Sequence, residues 1–155
     1  MIPQNDSPSF AIRSGRSTEV ASLLTLWEAS VRATHLFLEE KDIVAIRKDI
    51  PAAMRDVTLL VAAGKDDTPV GFLGLSGSHV EMLFVAPAFF RQGVGTALLN
   101  AAQSMAAERA LTVDVNEQNH DAMAFYMRQG FRVAGRSPFD RQGRPFPLLH
   151  LAKTM

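Results

Sequence analysis

Two glycines in one short run raise the first chemical question. Between Met82 and Leu99 the chain reads MLFVAPAFFRQGVGTALL. A β-prone stretch ends at Val85, a connector follows, and Gly93 and Gly95 open a segment with helical apolar spacing. Glycine adopts backbone angles that other residues resist and lets a ligand come close to the main chain. The unpaired amides of a helix start carry partial positive charge, so Gln92, Gly93, Val94, Gly95 and Thr96 read as a cradle for a pyrophosphate. The same glycines also suit an ordinary helix start where space is short, and the residues alone leave both readings open. Two phosphate-binding motifs are incomplete here. No Gly-Lys-Ser/Thr is present, so there is no P-loop. A dinucleotide fingerprint needs a third glycine where Leu98 stands, and a tight turn where seven residues, Ala86 to Gln92, separate Val85 from Gly93.

Other reactive types are sparse. The chain has no cysteine, which removes a thiol nucleophile, a disulfide framework and thiolate metal sites. Gly74-Leu-Ser-Gly-Ser78 misses the nucleophile-elbow pattern at its last position. The four histidines, His35, His79, His120 and His150, show no metal-ligand spacing, and no metal is expected. Glu81 and Asp114 lie on β-prone segments. Each is a proton acceptor if it faces a cleft, and a solvated carboxylate otherwise. Tyr126 is the one tyrosine, either an amphipathic core residue or a phenol available as a proton donor.

These residues need elements to hold them. Phe10–Arg13 is a short strand candidate, and Ser17 or Thr18 can cap the helix after it. Val20, Leu23, Leu24, Trp27 and Val31 recur at helical spacing. A second helix is predicted over about Lys41–Arg55, with Pro51 a point for a break or kink. Thr58–Ala63, Val70–Leu75 and His79–Val85 are strands separated by the turns 64–69 and 76–78. A helix from Val94 to Arg109, a strand over Leu111–Val115 and a helix capped by Asn119 follow, with Gly130 beyond its end. Phe131–Ala134 and Pro147–Leu151 close the chain. Strands joined by turns are antiparallel, and a strand–helix–strand passage gives a parallel pair. The expected fold is a single-domain mixed α/β sheet with helices on both faces.

With 155 residues the chain is expected to form one domain over 10–155, preceded by a flexible arm at 1–9. Sixteen basic and sixteen acidic residues give zero formal charge, so neither nucleic acid nor an anionic membrane is an expected partner. No apolar run approaches the roughly 18 residues of a membrane span. Met1–Ser9 lacks the basic start and apolar middle of a signal peptide. A cytoplasmic location is expected.

Val85-Ala-Pro87 with Phe90-Arg-Gln-Gly-Val-Gly95 resembles the acetyl-CoA motif of the GNAT superfamily of N-acetyltransferases, Gln/Arg-x-x-Gly-x-Gly/Ala after a strand. Asn119-x-x-Ala122-x-x-Phe125-Tyr126 followed by Gly130-Phe131 resembles its downstream helix–strand motif. Arg32-Ala-Thr-His35, Leu75-Ser-Gly-Ser-His79, Val115-Asn-Glu-Gln-Asn119 and Pro145-Phe-Pro-Leu-Leu149 are similar to the bacterial YjaB-type branch. Phe90 departs from the motif, standing where Gln or Arg is usual, and Arg91 is a substitute donor. The resemblance implies an acetyl-CoA-dependent N-acetyltransferase of the GNAT fold. The acetyl group would pass directly to a primary amine, on a protein lysine or a small molecule. It implies that Leu83, Phe84 and Val85 receive the thioester arm, with Arg91, Arg128, Asn116 and Asn119 as further cofactor contacts. Tyr126 would be the acid for the departing thiolate, Glu81 or Asp114 the base unless water serves, and Trp27, His35 and His79 would wall the acceptor pocket. The alternative is a non-catalytic acyl-CoA-binding module. A monomer or homodimer is expected.

Overall fold

The computed structural model describes residues 9–154. The expected N-terminal arm therefore lies outside the described residues, except for Ser9 at its end.

The elements follow the predicted order: β1 (Ala11–Ser14), α1 (Val20–Thr34), α2 (Glu40–Arg55), β2 (Thr58–Ala63), β3 (Pro69–Ser76), β4 (His79–Val85), α3 (Val94–Ala106), β5 (Thr112–Asn116), α4 (His120–Arg128), β6 (Phe131–Ser137) and β7 (Leu148–Lys153). One seven-stranded sheet runs β1-β2-β3-β4-β5-β7-β6. The β4–β5 pair is parallel and the others are antiparallel. The expected mixed sheet with helices on both faces is the observed one.

Period-two alternation gives the sheet two apolar faces. Leu73, Val80, Val113, Val115 and Leu151 pack with Val94, Leu98, Leu99 and Ala102 of α3 and with Tyr126 of α4. Val61, Phe72 and Met82 pack with Leu23, Trp27 and Val31 of α1 and with Ile43, Ile50 and Met54 of α2. Val80 and Met82 are two residues apart yet serve opposite cores. A register shift resolves this: Leu75 pairs with Val80 and Gly74 with Met82, which leaves Glu81 as an unpaired extra residue in β4.

Three local expectations are corrected. Neither Ser17 nor Thr18 caps α1. Those residues form a short 3-10 turn with Glu19, whose carboxylate accepts the Arg16 amide at 2.9 Å. Pro51 does not end α2, because Ile50 and Met54 on either side are both held in the core, which outweighs the one backbone bond proline removes. The helix after Gly93 stops at Ala106, where Ala107 turns to a φ of 58°, short of Arg109.

Candidate active site

The site begins where the sheet comes apart. β4 and β5 pair only at His79↔Thr112 and Val80↔Val113. Beyond that point Leu83, Phe84 and Val85 diverge from β5, because β4 leaves through a proline turn (Pro87–Phe89) while β5 runs into the Asn119 cap of α4. A strand that parts from its neighbour exposes backbone groups that the ladder would otherwise consume. A cleft of about 700 Å³ fills the fork, the size of a small-molecule site.

The glycine turn forms one wall. Arg91 and Gly93 both take left-handed angles, φ 63° and 83°. Arg91 is a non-glycine residue held there at a cost of order 1 kcal/mol, a strain commonest at ligand sites. The first bond of α3 runs from the Ala97 amide to the Gly93 carbonyl at 3.0 Å, so the amides of Val94, Gly95 and Thr96 precede it without helical acceptors. A Cβ built on Gly93 would meet nothing within 4 Å, so the turn is open rather than plugged. A Cβ on Gly95 would come within 3.0 Å of the Phe125 ring, so that glycine lets α3 and α4 close on each other. Arg91 and Arg128 line the same cleft, and among the described residues neither is paired with a carboxylate.

α4 supplies the opposite wall. Asn119 caps it, its side-chain oxygen accepting the Ala122 amide at 3.1 Å. Two turns on, Tyr126 lines the cleft with its ring held edge-on between Phe125 and Phe131, centroids 5.1 and 5.2 Å away. Burial pushes its phenol above the ordinary range, so the hydroxyl keeps its proton at neutral pH. Among the described residues that hydroxyl has no hydrogen-bond partner.

A chain of hydrogen bonds crosses the cleft. The Thr34 hydroxyl donates to the Ser30 carbonyl at 2.8 Å, which leaves its oxygen to accept from His35 Nδ1, also at 2.8 Å. His35 Nε2 then accepts from the Asn119 amide nitrogen at 3.3 Å. Every donor meets an acceptor only if the hydrogen sits on Nδ1. Burial against Phe37 and Phe84 pushes His35 down to about 4, in agreement with a neutral ring.

The other sequence-predicted residues divide. Leu83, Phe84, Val85, Arg91, Gly93, Val94, Gly95, Thr96, Asn119, Arg128, Tyr126 and His35 all line the cleft, as does Phe90. Gln92 does not; its amide turns back to the Ala88 carbonyl at 3.1 Å. Asn116 does not either, because its side chain accepts the Gln118 amide at 2.8 Å in the turn before α4. Trp27 is a core residue, 2% exposed and edge-on to Phe84, so it backs the cleft without facing it.

Glu81, Asp114 and His79 do not line the cleft; they gather on the α1/α2 face of the sheet, beside the last β4–β5 pair. Arg141, from the loop between β6 and β7, reaches Glu81 at 3.0 Å and His79 Nε2 at 3.3 Å. His79 Nδ1 faces the Thr112 hydroxyl at 2.7 Å. Sequence reasoning missed Arg141, Ser137 and the role of His150, which lies 2.6 Å from Asp114. The available signal was a lone histidine between Leu149 and Leu151, a polar residue on the face opposite those two leucines.

A parallel fork, an open glycine turn and a tyrosine-bearing helix define an acyl-CoA N-acyltransferase architecture, and comparison with known proteins agrees. The family model described as "Acetyltransferase (GNAT) domain" matches residues 30–149, and the chain belongs to this family of N-acetyltransferases. It is 43% identical to the peptidyl-lysine N-acetyltransferase YjaB of Escherichia coli over 142 residues, 92% of this chain and 95% of that protein. The solution structure of apo-form YjaB from Escherichia coli superposes with a TM-score of 0.86 at 41% identity, covering 94% of this chain and 97% of the other. The PaiA N-acetyltransferase of Thermoplasma acidophilum, solved in complex with coenzyme A, shares the fold at 20% identity, with a TM-score of 0.76 and coverage of 95% and 99%.

Proposed function

We propose that the chain transfers the acetyl group of acetyl-CoA directly to the ε-amine of a peptide lysine. The observation that carries this reading is the fork between β4 and β5, with an open anion cradle at one end and a protonated, unpartnered phenol on its wall. Acetyl-CoA fits these residues. The space beside Gly93 and the free amides of Val94, Gly95 and Thr96 suit a pyrophosphate, with Arg91 and Arg128 as cations for the phosphates. The Ala86 amide, and by strand alternation that of Phe84, turn to β3, so the backbone amides of Leu83 and Val85 face the fork, where a thioester arm would complete the edge that β5 abandons. Phe90 removes one side-chain donor and leaves the backbone cradle intact.

In direct transfer the N–C bond forms as the C–S bond breaks. Tyr126 donates its proton to the departing sulfur, and a carboxylate at the fork, Glu81 or Asp114, accepts a proton from the amine. The free Tyr126 hydroxyl favours an enzyme over a non-catalytic acyl-CoA module. The name of the YjaB relatives supports lysine as acceptor. Thiol release from acetyl-CoA, measured against lysine peptides and a panel of small amines, tests the reading. Turnover with the peptides is expected, and no thiol release with any amine would overturn it.

A further inference from the structure

The two fork carboxylates are not equivalent. Glu81 accepts Arg141 at 3.0 Å. Asp114 is the register partner of His150 across the β5–β7 pair, and its Oδ1 lies 2.6 Å from His150 Nδ1. A carboxylate only accepts, so Nδ1 carries the hydrogen. On the far side of the ring, Nε2 meets the Ser137 hydroxyl of β6 at 2.7 Å. Opposite His150 on β6 stands Gly135, where a Cβ would lie 3.5 Å from the imidazole, an ordinary packing distance. Ser137, His150 and Asp114 thus form one hydrogen-bonded line across three strands, aimed at the fork.

The second oxygen of Asp114 is different. Arg141 lies 3.6 Å from Oδ2 and His79 Nε2 lies 3.7 Å from it, both beyond hydrogen-bond length. His79 Nε2 already accepts from Arg141, so it brings no hydrogen to Asp114. Asp114 is the first β5 residue past the last β4–β5 pair, Val80↔Val113. Oδ2, within ion-pair range of Arg141 but hydrogen-bonded to nothing among the described residues, thus belongs to the residue at which the two strands begin to part.

We infer that Asp114 Oδ2 is the catalytic base for the acceptor amine, and that His150, braced by Ser137, is its positioning residue. This rests on the acetyl-transfer reading and decides the base within it. The acceptor enters as an ammonium and leaves as an amide, so its nitrogen gives up two protons. One passes to Asp114 Oδ2 and then to water as the ammonium becomes the attacking amine; the other, lost from nitrogen once the N–C bond has formed, returns through water to the Tyr126 oxygen that gave its proton to the sulfur. His150 keeps its single bond to Oδ1 throughout, which holds the carboxylate in one rotamer with Oδ2 toward the amine. The groups facing Asp114 are His150 from β7, Glu81 and His79 from β4, Thr112 beside it on β5 and Arg141 from the β6–β7 loop.

The test uses the full chain, a lysine peptide and saturating acetyl-CoA, with kcat and kcat/KM followed against pH. Asp114→Asn is expected to lose on the order of a hundredfold in kcat and the acidic limb of the profile. Calorimetric affinity for acetyl-CoA is expected to stay at the parent value. His150→Phe is expected to lose on the order of tenfold, and His150→Asn, whose amide nitrogen can replace Nδ1–H, to recover most of it. Combining Asp114→Asn with His150→Phe is expected to cost no more than Asp114→Asn alone. Parent-like kcat in Asp114→Asn, with the loss moved to Glu81→Gln, would overturn the assignment of the base. Equal losses in His150→Phe and His150→Asn would overturn the positioning role. If His150→Phe does not fold, Ser137→Ala and His150→Asn carry that arm. The parent enzyme must turn over in the same assay, so failure of the acetyl-transfer reading is seen separately.

Discussion

Tyr126 and His35 face one another's elements across the cleft, and each owes its state to burial. Removing the Tyr126 hydroxyl while keeping its ring leaves the packing against Phe125 and Phe131 in place. Tyr126→Phe is therefore expected to bind acetyl-CoA with parent affinity by calorimetry and to lose about 10²-fold or more in kcat. An unchanged rate would remove Tyr126 as the acid. His35 titrates near 4 in the folded chain against about 6.5 unfolded. Between those values the unfolded chain binds the extra proton, so stability is complete above about 6.5 and is lost progressively as pH falls toward 4. Urea denaturation across that window is expected to show a slope that His35→Gln reduces. Asn119 was legible as a cap because capping is local, a side chain meeting an amide three residues on. That the same side chain also meets His35 was not, since 84 residues separate them.

Among the elements, the start of α3 matters most, because its position fixes the cradle. Gly71 of β3 lets that helix lie against the sheet: a Cβ there would come within 2.7 Å of Val94 and 3.3 Å of the Phe84 carbonyl. Gly71→Val is expected to push the helix start away and raise the KM for acetyl-CoA while lowering the melting temperature. Leu98→Ala, deeper in the same packing and fully buried, is expected to cost about 2–5 kcal/mol in chemical denaturation. Gly93→Asp acts differently. Space exists for the side chain, so the expected loss of CoA affinity comes from forcing a φ of 83° on aspartate and from placing a negative charge in the cradle. The order of elements was readable from period changes along the chain. The bulge at Glu81 was not, because it exists only as a mismatch between the β3 and β4 ladders.

At the scale of the whole molecule, the sheet separates two jobs. The cradle and Tyr126 belong with α3 and α4, and Glu81, Asp114 and His79 lie on the α1/α2 face, meeting at the fork. Variants of the cradle are expected to change the KM for acetyl-CoA and not that for the peptide, and initial-rate measurements with both substrates varied check this. By itself the sequence determined the fold class, the glycine turn, the cap and the lone tyrosine, all of which rest on spacings of a few residues that backbone geometry reads directly. Only the tertiary structure decided that Trp27, Gln92 and Asn116 turn away from the cleft and that Glu81 and Asp114 differ. It also decided that His150 and Ser137 stand behind Asp114. Those outcomes depend on ladder register between strands distant in the chain, and a one-residue change of register would send the same side chains to the opposite face.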